Sequence, residues 1–126
     1  VGRLKDLEVK GQEYDEIFCG IGDNGLRKQL LEHAEILKLN VPILVHPTAY
    51  VSPSAVIGKG TVVEPGVLIN ANAVIGAGCI VSIGAVIDHD ATVEEYAHVN
   101  AAAVCKARSR VGAGARIDAG MVVDES

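Results

Sequence analysis

The sequence has no tryptophan, one phenylalanine, one methionine and three tyrosines in 126 residues, so aromatics make up only 3%. A core of interlocking large rings is therefore excluded, although apolar residues reach 49%. Whatever core forms is built from Val, Ile, Ala and Gly, which suits thin, repetitive packing. Eleven Lys and Arg stand against 16 Asp and Glu, for a formal net charge of −5, and no basic run occurs. The electrostatic footprint of a nucleic-acid binder is missing. No apolar run approaches the roughly 20 residues that span a bilayer, and no signal-peptide pattern opens the chain. No membrane partner is expected. Cysteine is scarce: Cys19, Cys79 and Cys105 lie far apart with no CxxC pair. An odd, unpatterned set describes neither a disulfide framework nor a zinc site. The reading is a protein of the reducing cytoplasm in which each cysteine is a small buried hydrophobe. The length fits one domain, or one and a fraction.

What is present is a repeat. From Val45 onward an aliphatic residue recurs every sixth position: Val45, Val51, Ile57, Val63, Ile69, Ile75, Val81, Ile87, Val93, Val99, then Cys105, Val111, Ile117 and Val123. Four residues after each stands a mostly small one, such as Ala55, Ala73, Cys79, Ala85, Ala91 or Ala103. Glycine often comes just before it, as at Gly60, Gly66, Gly78, Gly84, Gly114 and Gly120, where it lets the chain turn through conformations a Cβ would penalise. A period of six is neither helical nor a plain strand alternation. It describes short strands separated by sharp bends, and predicts an all-β hexapeptide parallel β-helix over residues 45–126, each unit stacked on its neighbours. The aliphatic points to the axis and the small residue fills the crowded corner.

Residues 1–44 read differently. A short apolar run at 14–22 ends in glycine, Asp23 or Asn24 offers an N-cap, and Leu26, Leu30, Leu31, Ala34 and Leu37 fall at helical spacing over residues 25–39. VPILVHP then leads into the first hexad. The order strand, helix, strand resembles the end of a small Rossmann-like domain, and such a fragment is placed to cover the open end of the β-helix. GIGDNG, which includes Gly22, Asp23 and Asn24, suggests phosphate or nucleotide contact at a helix N-terminus; a plain turn and cap is the alternative.

Two histidines interrupt the monotony in IDHDATVEEYAH. His89 lies two residues after the inward Ile87, and His98 five after the inward Val93, so both side chains are expected outside the core. If a coil takes three hexads, their spacing of nine residues is half a turn. Within one chain they face opposite sides of the prism. They meet only if a neighbouring copy brings its His98 side to this copy's His89 side, which a closed ring with heterologous contacts does. A homotrimer is the natural count for a three-sided prism.

Units such as VSPSAV, IGKGTV and IGAGCI resemble those of the hexapeptide acyltransferases, in which three hexads form a coil of a left-handed β-helix. The left hand is implied by that resemblance alone, since parallel crossovers are otherwise right-handed. IGDN..RK, VHPTAYVSPSAVIG and GAVIDHDATVEEYAHV together resemble the sialic acid O-acetyltransferase family, which includes nucleotide-linked amino-sugar N-acetyltransferases of the bacillosamine type. The resemblance implies acetyl-CoA as co-substrate, a sugar or nucleotide-sugar acceptor, and sites between subunits of a trimer. It implies that His89 is the general base, that Asp90 raises its basicity, and that His98 contacts acetyl-CoA together with Ala107, Arg108 and Ala119. Gly22, Asp23 and Asn24 would face the acceptor. The chemistry fits these residue types. Acyl transfer to an amine or hydroxyl needs a base near neutral pKa, and a carboxylate beside it favours the imidazolium that forms. No covalent intermediate is required of Cys79 or Cys105. No metal is expected, because the HxxxxH pair of γ-class carbonic anhydrases, which share the solenoid, does not occur.

The family pattern has a further strand and Gly-rich loop ahead of residue 1 and further coils beyond Ser126, so the resemblance implies a chain shortened at both ends. In CKARSR, Ala107 and Arg108 stand where the family often has glycine and asparagine. Arg108 and Arg110 there are read as coenzyme A phosphate ligands, or as solvated or paired across an interface. The competing reading is a non-catalytic trimeric scaffold.

Overall fold

Stacked two-residue strands dominate the computed structural model, which describes Cys19 and residues 21–125. A first sheet holds β1 (Leu44–Val45), β4 (Val62–Val63), β7 (Ile80–Val81), β10 (His98–Val99) and β13 (Arg116–Ile117). A second holds β2 (Tyr50–Val51), β5 (Leu68–Ile69), β8 (Val86–Ile87), β11 (Val104–Cys105) and β14 (Val122–Val123). The third holds β3 (Val56–Ile57), β6 (Val74–Ile75), β9 (Thr92–Val93) and β12 (Arg110–Val111). All pairings between these strands are parallel. Leu44 pairs with Val62, Val62 with Ile80, Ile80 with His98 and His98 with Arg116, so a coil closes every 18 residues. The three hexads per coil expected from the sequence are borne out, in a left-handed parallel β-helix.

The second residue of each strand points to the axis. Val63, Ile69, Ile75, Val81, Ile87, Val93, Val99, Cys105 and Val111 are all buried, and so are the small corner residues Ala73, Cys79, Ala85, Ala91, Ala97 and Ala103. Each fully buried Val or Ile stabilises the fold by about 1.5–3 kcal/mol. One interior polar group is satisfied internally: Thr61 Oγ1 donates to the Gly76 carbonyl at 2.7 Å and accepts from the Cys79 amide at 3.1 Å.

The bends have a fixed backbone. Every sixth residue from 60 to 120 takes positive φ. Glycine fills six of these corners, and Asn72, Asp90, Tyr96, Ala102 and Arg108 fill the rest at φ 58–63°. Side chains other than Asn and Asp are strained in this region. Three of these five, Asp90, Tyr96 and Ala102, fall on the single coil that carries both histidines of interest.

The helix is α1 (Asn24–Ile36), close to the expected span. Asp23 caps it, its Oδ1 accepting from the Leu26 amide at 2.8 Å. It ends three residues before Leu39 because Lys38 turns left-handed at φ 60° and the Leu39 amide closes back on the Ala34 carbonyl at 3.0 Å. Leu31 and Ala34 are buried against Cys19 and Val41. One sequence expectation needs correction. The helix does not cover the open end of the solenoid. It runs along the edge between the third and first sheets, with Asn24 bonded to the Gly114 carbonyl and Leu31 beside Gly60, corners on the fourth and first coils that it meets. Its 13 residues, at 1.5 Å each, are long enough to cross them. The axial Val45 of the first coil is 39% exposed. Of residues 1–44, most of the expected strand at 14–22 lies outside the described residues, and Leu44 already pairs within the solenoid.

Candidate active site

His89 sits on the corner between the second and third sheets, just before the left-handed Asp90 at φ 59°. Three contacts fix it. Asp88 Oδ1 accepts from the His89 amide at 2.7 Å and from Asn70 Nδ2, one coil earlier, at 2.9 Å. The His89 carbonyl accepts from the Arg108 amide of the next coil at 3.1 Å. Asp90 Oδ2 lies 2.9 Å from His89 Nδ1. The Asn70 amide, followed by the His89 N–H, holds the Asp88 carboxyl below the usual carboxylate range. With Nδ1 committed to Asp90, a neutral ring carries its proton there and leaves the Nε2 lone pair free. His89 and Asp90 side chains are each about half exposed (47% and 49%), so Nε2 is open to a reactant.

Below them lies a shallow depression of about 490 Å³ lined by Asp88, Lys106, Ala107, Arg108, Asp124 and Glu125. Both cations in it are occupied. Lys106 meets Asp124 at 2.9 Å, and Arg108 forks onto Glu125 through Nε and Nη2, each at 3.1 Å. An anionic ligand at Arg108 competes with Glu125 of the same chain. Arg110 is paired with Glu94.

His98 is on the first sheet, across the prism from the His89 corner, and the two do not meet within the chain. Its side chain leaves the solenoid as expected, but it is only 8% exposed. The turn at Gly22 and the start of α1 fold back onto this face and cover the ring. Ser82 Oγ lies 3.0 Å from Nε2, while the buried Nδ1 has no hydrogen-bond partner. The Gly22 carbonyl faces the ring and favours a proton, without hydrogen-bond geometry to Nδ1. Burial, then the Arg27 and Arg116 cations, outweigh it and push the pKa below the usual histidine value. An unfolded chain therefore takes up a proton near pH 6.5 before the folded one does. Stability is unaffected well above that pH, falls as pH drops through it, and levels off below the folded value. Chemical denaturation from pH 8 to pH 5 is expected to show this fall, and His98→Gln to flatten it.

Gly22 and Asp23 form the turn before α1 and Asn24 opens the helix, on the His98 side. Asp23 is used as the cap, and Asn24 Nδ2 donates to the Gly114 carbonyl at 2.8 Å. Ala119 is exposed on the edge between the first and second sheets, away from His89. The structure thus groups His89, Asp90, Ala107 and Arg108 on one edge, and His98 with residues 22–24 on another face.

Sequence reasoning missed Arg27. It is fully buried, and its guanidinium reaches the carbonyls of Gly78 (2.7 Å), Ile21 (2.8 Å), Tyr96 (2.9 Å) and Ala97 (3.4 Å), with Asn24 Oδ1 at 2.8 Å. Its charge and its place among Leu26, Leu30 and Leu31 read as the border of a solvated face. Only the RK of IGDN..RK marked it. Ser82, beside His98, was also missed. Cys79 and Cys105 are buried inside the solenoid as expected; burial raises both thiols, Cys105 to about 11, which leaves them poor nucleophiles. Among the described residues no three His, Cys, Asp or Glu side chains gather as a metal set, and no helix is long and apolar enough to cross a membrane.

A family model described as the GMPPB C-terminal domain matches residues 42–126, the whole solenoid. The chain belongs to the GMPPB C-terminal domain family. This member of that family is also similar to the acetyltransferase domain of PglB from Neisseria gonorrhoeae FA1090, at 35% identity and a TM-score of 0.91 over 97% of this chain and 60% of that one. The same domain in complex with acetyl coenzyme A matches at 34% identity and the same TM-score, again over 97% of this chain and 60% of that one. A mutant of GDP-perosamine N-acetyl transferase from Caulobacter crescentus, in complex with CoA and GDP-perosamine, matches at 29% identity and a TM-score of 0.71 over 97% of this chain and 70% of that one. The resemblance to β-helical sugar acetyltransferases is borne out. The chain spans about 60% of the length of the PglB domain. No curated protein matched the sequence.

Proposed function

We propose that this solenoid is the acetyl-transfer unit of an acetyl-CoA-dependent N-acetyltransferase acting on a nucleotide-linked amino sugar. The observation that carries the reading is the half-exposed His89 with Nδ1 held by Asp90 at 2.9 Å and Nε2 free. The neutral sugar amine attacks the thioester carbonyl carbon, and its proton passes to His89 Nε2. Asp90 stabilises the imidazolium. The C–S bond breaks and the proton goes on to the departing thiolate, leaving an amide and coenzyme A. His98 serves the donor. If Ser82 donates to Nε2, the neutral ring carries its single proton at the buried Nδ1, beside the Gly22 carbonyl. Ala107, Arg108 and Ala119 would border the donor, and residues 22–24 the acceptor. A likeness to a GDP-perosamine enzyme favours an amine over a sialic acid hydroxyl as acceptor.

The separation of His89 from His98 requires a second copy, and a trimer with sites between subunits is part of this proposal. The second sheet supports it. Its outward row reads Tyr50, Leu68, Val86, Val104 and Val122, with no charge, and Tyr50, Leu68 and Val122 are 44–52% exposed. A continuous apolar stripe of this kind marks an interface, and it adjoins the His89 corner.

Calorimetric titration of acetyl-CoA, with the mass of the assembly measured alongside, tests the reading. Saturable binding at about one site per chain to a trimer, weakened about tenfold by His98→Ala, is the expected result. Turnover of GDP- or UDP-linked amino sugars should follow. A trimer that neither binds acetyl-CoA nor acetylates these acceptors overturns the reading in favour of a scaffold.

A further inference from the structure

Tyr96 holds an unusual backbone position. It occupies a left-handed corner at φ 59°, where the same corner of neighbouring coils carries Gly60, Gly78 and Gly114. A bulky residue here is a true outlier, and such strain persists only where the surroundings over-determine it. The surroundings of Tyr96 are specific. Its ring lies over Gly78, so closely that a Cβ there would come within 2.4 Å of Cε1. It packs against the cluster of Cys19, Leu31, Ala34 and Val41, and Lys28 Nζ stands 5.8 Å from the ring centroid. Its carbonyl accepts from Arg27 Nη2 at 2.9 Å, while Arg27 Nη1 donates to the Ile21 carbonyl at 2.8 Å. One guanidinium thus ties the chain just before residues 22–24 to the chain just before His98.

We infer that Tyr96 is a positioning residue: its ring and its carbonyl hold the turn at residues 22–24 against the His98 face, so that an acceptor bound at that turn meets the acetyl group. The strained corner is kept for the ring it supplies. This rests on the proposed reading that residues 22–24 face the acceptor and His98 the donor.

The test compares Tyr96→Gly and Tyr96→Phe by residue-resolved amide exchange, and by kinetics with acetyl-CoA and GDP-perosamine. Glycine is the normal occupant of this corner, so the solenoid of Tyr96→Gly is expected to fold. In that variant the amides of residues 21–36 should exchange about tenfold faster while those of the strands do not change. The KM for the acceptor should rise about tenfold with the KM for acetyl-CoA within about twofold. Tyr96→Phe should match the wild type in each respect, because it keeps the ring. Unchanged exchange at residues 21–36 would overturn the inference, and so would faster exchange with an unchanged acceptor KM, or an equal rise in both KM values. A wild type that acetylates no amino sugar defeats the functional reading instead. The exchange at residues 21–24 then decides by itself whether Tyr96 holds the turn.

Discussion

Replacing His89 with asparagine is expected to lower the proposed acetyl transfer by roughly 10²–10⁴-fold, the usual worth of a general base. The loss is expected in kcat, with the KM for acetyl-CoA little changed, because in the proposed mechanism the imidazole acts on the proton that leaves as the bond forms and not on the bound donor. Stability should hardly move. The ring is half exposed, and the turn that carries it is fixed by the Asp88 carboxylate and the Arg108 amide, both bonded to the His89 backbone. Asp90→Asn is the informative companion. Asparagine accepts left-handed φ as readily as aspartate, so the corner survives and only the charge beside Nδ1 goes. Its loss should be real but smaller than that of His89→Asn. Melting temperature and assembly mass, measured on the same samples, separate a chemical defect from a folding one. An asparagine variant that keeps its rate within tenfold removes His89 from the role of base.

The solenoid was legible because its rule is local: one inward aliphatic and one small corner residue every six positions leave no other stable packing. The inward cysteines follow from counting; the three-hexad coil came from the family resemblance, and with it the placing of His89 and His98 on opposite sides follows. The His89–Asp90 pair was legible too, since its partners are adjacent in sequence. What was not legible depends on the chain folding back on itself. The offset of His98 says that it points outward, but not that a turn some 75 residues earlier lies against that face. The left-handed corners at Tyr96, Ala102 and Arg108 were hidden because the repeat shows turns through glycine, and these residues take the same φ without it. The helix was found from its apolar spacing, yet that spacing cannot say whether a helix lies across the end of a solenoid or along its edge. The polar contacts made by Asn24 and Arg27 decide that, and a hydrophobic pattern is blind to them.

Arg27→Met is expected to release α1 from the solenoid while leaving the coils intact. The guanidinium is completely buried, and desolvation pulls its pKa below the normal arginine value. It nevertheless stays charged, as arginine does in proteins. Its partners are four backbone carbonyls and the Asn24 side-chain oxygen, and three of those carbonyls come from coils 51 to 70 residues away. Methionine fills much of the volume and satisfies none of them. Breaking such a buried charged network costs about 3–5 kcal/mol, which shifts the docking equilibrium of the helix by roughly two to three and a half orders of magnitude. Lysine should not rescue it, because a point-like ammonium with three donors cannot span carbonyls that the planar fork reaches together. Amide exchange should rise over residues 24–36, and far-ultraviolet circular dichroism should lose helix, while the strand amides of residues 62–111 stay protected. If the helix is what holds residues 22–24 in place, acceptor turnover falls with it, whereas His89 and Asp90, on another edge, keep their geometry. A variant in which helix and coils lose protection together would instead mean that α1 is part of the solenoid's own stability, and that Arg27 supports the fold as a whole.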